Sequence, residues 1–80
     1  MLTPVPLSKL LRGQRARILG IEGNDALARK LLEMGIEEGQ EVALLHEGPV
    51  ARDPLAIRMN DRIIALRRRD ASHIHVEILA

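Results

Sequence analysis

Between positions 25 and 45 the apolar residues change their spacing from helical to alternating. Leu27, Ala28, Leu31 and Leu32 recur at intervals of three and four, and this single stripe predicts a short helix. Asn24 stands where that helix needs a cap. Asp25 falls in the first turn, where the helix dipole favours an anion. Gly35 follows at the point where the chain must leave the right-handed region, which glycine does without a Cβ clash. Ile36 then returns to the core, Glu37-Glu38-Gly39 predicts a turn with a positive φ at Gly39, and Val42 and Leu44 open a strand. The pattern therefore sets a helix against a sheet, with Gly35 and Gly39 as structural turn positions.

The rest of the chain reads as short strands. Met1 to Leu7, with Pro4 and Pro6, predicts an extended lead-in. Ser8 is placed to cap one helical turn through Lys9-Leu10-Leu11, which Gly13 ends. From Gln14 to Glu22, Ala16, Ile18 and Gly20 face one way. Arg15, Arg17, Leu19 and Ile21 face the other, with a bulge expected near Gly20. Gln40 to Glu47 is the next strand, on which His46 falls on the Val42 and Leu44 face, and Gly48 to Pro54 reads as a loop. Leu55, Ile57 and Met59 alternate with Ala56 and Arg58, and Asn60-Asp61 predicts a hairpin turn. Arg62 to Arg67 is apolar on both faces at Ile63 to Leu66, which predicts a central strand. Arg68 to Ala71 is a turn of helix, and Ile74, Val76 and Ile78 alternate in a final strand. The expected fold is mainly β: one domain over 1–80, a small barrel of about five antiparallel strands with one short α-helix after the first long strand.

Composition narrows the options. There is no Phe, Trp or Tyr, so the core must be aliphatic. With 12 basic and 11 acidic residues the net charge is +1, which gives no strong field for a polyanion. With no cysteine, disulfides and thiolate metal sites are excluded. The apolar runs Val42 to Leu45 and Ile63 to Leu66 fall far short of the ~20 residues of a membrane span. Met1 to Lys9 does not have the form of a signal peptide, so the expected location is cytoplasmic, without membrane insertion.

Chemistry is sparse. On a strand, His73, His75 and Glu77 share a face and could hold a divalent metal, although no fourth ligand accompanies them. The alternative is a solvated face, because Ile74, Val76 and Ile78 take the buried side. Thr3, Ser8 and Ser72 are the hydroxyls, none of them set beside a base in a catalytic arrangement, and Glu37-Glu38 is a turn. The chain does not read as an enzyme. Arg67, Arg68 and Arg69 with Arg12, Arg15 and Arg17 could form a basic patch. RNA-binding barrels stack bases on aromatic rings, however, and this chain has none.

Leu31-Leu-Glu-Met-Gly-Ile-Glu-Glu-Gly-Gln-Glu-Val42 resembles the signature of the FeoA family of ferrous iron transport proteins. So do Asp53-Pro-Leu-Ala-Ile-Arg-Met59, Ile64 to Ala71, Ile74-His-Val76, and the opening Pro6 to Leu10 with Gly13 and Ala16 to Ile18. The blocks are collinear over residues 6 to 78. The resemblance implies an SH3-like barrel. It also implies a small cytosolic, non-enzymatic accessory protein that acts by contact with FeoB, the membrane ferrous iron transporter, through that protein's GTP-binding domain or membrane part. The same module occurs at the C-terminus of metal-dependent repressors, but 80 residues leave no room for a helix-turn-helix beside it. Matching positions Gly35, Gly39, Asp53, Pro54, Leu66 and Arg67 read as structural. Relatives commonly carry Gly where this chain has Arg52 and Asp61.

The expected partner surface is the Gly48 to Pro54 loop with the Arg67 edge, namely Val50, Arg52, Asp53, Pro54, Arg67, Arg68 and Arg69. No cofactor is required. The alternatives are a metal-sensing module taking Fe(II) at His73, His75 and Glu77, or a small RNA-binding barrel. Exposed apolar residues could also drive weak self-association.

Overall fold

The computed structural model describes residues 4–79. Met1, Thr3 and Ala80, with the start of the expected lead-in and the Thr3 hydroxyl, lie outside the described residues. Six antiparallel strands form one curved sheet. They are β1 (Val5–Pro6), β2 (Arg15–Ile21), β3 (Glu41–Val50), β4 (Asp53–Met59), β5 (Arg62–Leu66) and β6 (Ile74–Ile78), in the order β1-β6-β2-β3-β4-β5. Helix α1 (Asp25–Glu33) joins β2 to β3, and the one-turn α2 (Arg68–Ala71) joins β5 to β6. The mainly β architecture with a helix after the first long strand is as expected. The sixth strand is the two-residue β1, which comes from the lead-in and pairs Val5 with Val76 and Pro6 with His75.

Alternation builds the core. Ala16 and Ile18 of β2, Val42 and Leu44 of β3, and Leu55, Ile57 and Met59 of β4 turn to the same interior while their neighbours stay outside. Leu7 and Leu10 from the lead-in, and Leu31 and Ile36 from α1 and its turn, are buried in the same cluster. Each large aliphatic side chain buried here contributes roughly 1.5–3 kcal/mol. The core is aliphatic throughout, as a chain without aromatic residues requires.

Helix α1 begins and ends as its sequence dictates. Asn24 Oδ1 accepts from the Leu27 amide at 2.8 Å. At the other end the Gly35 amide donates to the Leu32 carbonyl and the Ile36 amide to the Leu31 carbonyl, the paired bonds of a Schellman ending. Gly35 takes φ +85°, and Leu31 and Ile36 bury together behind it. Only part of the predicted stripe is interior: Leu31 is buried, Leu27 and Ala28 are half-buried, and Leu32 is 56% exposed. The buried line of this nine-residue helix is narrow, with Leu31 on it and Leu32 beside it.

Four local expectations are corrected. Ser8 lies inside a 3₁₀ turn (Leu7–Lys9) that starts after Pro6, so it caps nothing. The Gly48 to Pro54 segment is the end of β3, a two-residue turn and the start of β4 rather than a loop. Strand β5 is at the edge of the sheet, not in its centre. An apolar residue on each face does not require two covers, and Ile63 is left 61% exposed. His46 does not share the face of Val42 and Leu44. A register shift between Leu44 and His46 turns His46 outward. The bulge expected near Gly20 is present, between Ile18 and Gly20 against β6.

Candidate functional site

The β3–β4 hairpin runs through Ala51 and Arg52, both in the left-handed region at φ 55° and 56°, between the paired residues Val50 and Asp53. Two residues with φ > 0 give the hairpin turn whose twist matches the flanking strands. Before the turn, Gly48 and Pro49 of β3 stand against the single residue Pro54 of β4, which is a bulge. A Cβ at Gly48 would lie 2.1 Å from the Asp53 carbonyl oxygen, so only glycine fits there. Within the bulge neither neighbouring strand needs the amide that Pro54 lacks.

Arg68 secures this hairpin. Its Nη2 and Nε donate to the Arg52 carbonyl at 2.9 and 3.2 Å, and its Nη1 donates to the Ser8 carbonyl at 2.6 Å. Its guanidinium lies 3.3 Å from Glu47, which also faces Arg52 at 3.6 Å. Asp53 Oδ1 accepts from the Arg68 amide at 2.8 Å, so a β4 carboxylate satisfies an unpaired N–H at the start of α2. Asp70, at the end of the same turn, is buried and pairs with Lys30 of α1 at 2.9 Å.

Beside the fixed hairpin lies a groove of about 470 Å³ lined by Val50, Asp53, Pro54, Ala65 and Arg67. Of the expected partner residues, Val50, Asp53, Pro54 and Arg67 are thus brought together. Arg52 is at the exposed tip and Arg69 is exposed on α2. Arg68 is turned inward by its bonds and holds the surface in place. Ala65 is silent in the sequence, because an alanine on an apolar run carries no signal of its own. Among the described residues no ion pair forms at Arg67, whereas Arg15 pairs with Glu41 and Arg17 with Glu77, which breaks up the wider basic patch. A second groove, of about 290 Å³, runs between Ile21 and the exposed Leu32 of α1.

The histidines separate. His73 precedes β6 and its ring lies near Gly23, while His75 Nε2 contacts Glu22 and Glu77 faces Arg17. Among the described residues no three His, Asp or Glu side chains converge. No helix is long and apolar enough to cross a membrane among the described residues.

Comparison with known proteins places these features in a family. A segment of the Fe(2+) transport protein A/Fe(2+) transporter FeoB fusion protein of Porphyromonas gingivalis (strain ATCC BAA-308 / W83) is 36% identical over 74 residues, 92% of this chain and 9% of that protein. The chain thus spans less than a tenth of that relative. The solution structure of iron(II) transport protein A from Clostridium thermocellum superposes with a TM-score of 0.86 at 36% identity, over 94% of this chain and 46% of that one. The zinc complex of Stenotrophomonas maltophilia FeoA, described as a prokaryotic SH3 domain protein, matches with a TM-score of 0.73 at 34% identity, over 88% and 86% of the two chains. The FeoA domain family model covers residues 5–78, every strand of the SH3-like sheet included, and the chain belongs to the FeoA family.

Proposed function

We propose that this chain is a non-catalytic accessory domain of ferrous iron transport that acts by docking on FeoB through the hairpin tip and its groove. The observation that carries this reading is the relative in which a 36% identical segment and a FeoB transporter form one polypeptide. Covalent linkage holds two domains at high effective concentration, which serves domains that work in contact. The site suits the role. Arg68 fixes the tip before any partner arrives, so docking orders little further chain. Val50, 76% exposed, offers an apolar contact beside Arg67, which forms no ion pair among the described residues. The domain biases the transporter to the extent that it contacts two of its states differently.

The test is binding of purified FeoB to immobilised wild-type chain and to a Val50→Ala/Arg52→Ala variant. The Arg52 carbonyl that Arg68 holds remains in that variant, so the fold is expected to persist. Weaker binding supports the docking surface, and unchanged affinity removes the hairpin from it. Fe(II) uptake in cells lacking the gene, with Fe(III) uptake as control, tests the transport role itself.

A second reading, direct binding of a divalent metal ion, is supported by the zinc complex of the relative and by the contact between His75 and Glu22. Anaerobic titration of Fe(II) into wild type and a His73→Ala/His75→Ala variant decides it. Heat lost in the variant supports this reading, and no heat from wild type removes it.

A further inference from the structure

Strand β5 ends the sheet, and the direction of its backbone groups follows from its hairpin. Met59 and Arg62 flank the two-residue turn at Asn60-Asp61, so they exchange both hydrogen bonds. Alternation then makes Ile57 with Ile64 and Leu55 with Leu66 the next bonded pairs. The amides and carbonyls of Ile63 and Ala65 therefore point away from β4, and among the described residues no backbone group meets them. Edge strands are ordinarily guarded by Lys, Pro or a bulge at such positions. Here the outward residues are an Ile with 61% exposure and an exposed Ala, with Asp61 just before the strand and Arg67 just after it.

We propose that this edge pairs with the β5 edge of a second copy of the chain, antiparallel and centred on Ile64. In that register Ile63 of each copy faces Ala65 of the other, which are the residues whose free amides and carbonyls must meet. Asp61 of each copy then faces Arg67 of the other, so two opposite-charge pairs close the ends. Arg67 and Asp61 are free for this, since neither has an ion-pair partner among the described residues. The exposed Ile63 side chain comes to rest beside Ala65, on the wall of the other copy's groove. The neighbouring register, centred on Ile63, sets Asp61 against Ala65 and carries Arg67 past the Asn60-Asp61 turn, beyond the end of the other copy's β5, so charge selects the first.

A five-residue edge buries much less than a standard interface, and the dimer is transient, with a Kd on the order of 100 μM. It covers Ala65 and Arg67, so self-pairing and occupation of the groove by another protein exclude one another. The pairing does not depend on FeoB and stands or falls separately from the docking reading.

Sedimentation of the full chain over a concentration series is the experiment. Wild type is expected to dimerise reversibly. Asp61→Arg and Arg67→Asp each place like charges at both ends and weaken the dimer about tenfold. An equimolar mixture of the two variants restores opposite charges at both ends and recovers the wild-type strength. Ala65→Pro deletes an outward N–H that β4 does not use, and it weakens the dimer with an unchanged far-UV CD spectrum. A chain that stays monomeric up to about 1 mM overturns the proposal. So does a dimer indifferent to Ala65→Pro, or a mixture no stronger than its components. Should a charge variant fail to fold, Ala65→Pro decides alone.

Discussion

Helix α1 with its turn and the hairpin tip with α2 are of similar size, but the ends of the first are fixed by neighbours and the tip of the second by distant residues. The bonds that cap α1 are near in sequence: Asn24 caps an amide three residues on, and the bonds that end the helix run from Gly35 and Ile36 to Leu32 and Leu31, while Lys30 to Asp70 and Arg62 to the Met34 carbonyl tie the helix to distant chain. The hairpin tip is held from far away. Arg68 reaches Ser8 across 60 residues, and Asp53 reaches the Arg68 amide across 15. A region built from neighbours breaks one contact at a time, whereas a region converging on one guanidinium loses several contacts together.

The contrast is tested by urea unfolding followed by far-UV CD. The largest effect is expected at the distant-contact end. Gly48→Ala drives a Cβ into the Asp53 carbonyl oxygen, a backbone atom that cannot swing aside, and should cost about 3 kcal/mol. A loss below about 1 kcal/mol would mean that the bulge relaxes freely and the tip is not held as described. Arg68→Ala removes three donated bonds and the Glu47 contact and should cost about 2 kcal/mol. Combined with Asp53→Ala it should depart from additivity by more than about 0.5 kcal/mol, while combined with Asn24→Ala it should add simply. Equal additivity in both cycles would erase the distinction between the two regions. Gly35→Ala forces a side chain to φ +85° and displaces the Arg62 guanidinium, whose Nη2 bonds the Met34 carbonyl, for a loss of roughly 1–2 kcal/mol. Asn24→Ala removes one capping bond and should cost about 1 kcal/mol; a silent substitution would show that water replaces the cap.

The same contrast explains what the sequence disclosed. Asn24, Gly35 and Gly39 are legible because each acts on its own few neighbours, and all three do what their residue types suggest. The hairpin was hidden because Pro49 and Pro54 read as loop markers, and only the pairing of β3 with β4 shows that both fall at a bulge. Ala51 and Arg52 carry no signal for a positive φ, since neither is Gly, Asn or Asp; carbonyl bonds from Arg68 help fix that conformation. Strand β5 looked central because Ile63 and Ile64 are both apolar, and which neighbour a strand lacks is a property of the whole sheet. Within the groove, Val50, Pro54 and Arg67 stand out in the sequence as a proline-bounded segment and an arginine run, but the inward turn of Arg68 depends on Ser8, far earlier in the chain.

The ring-free core has a practical consequence in light. With no Trp or Tyr, the chain absorbs almost nothing near the usual protein wavelength and emits no intrinsic fluorescence. Its unfolding must be followed through the backbone or through the methyl groups of residues such as Ile57, Leu55 and Val76. In a mixture with any partner that bears indoles, every photon emitted belongs to the partner. A change in that emission on mixing reports the complex against a dark background, with no label on either molecule.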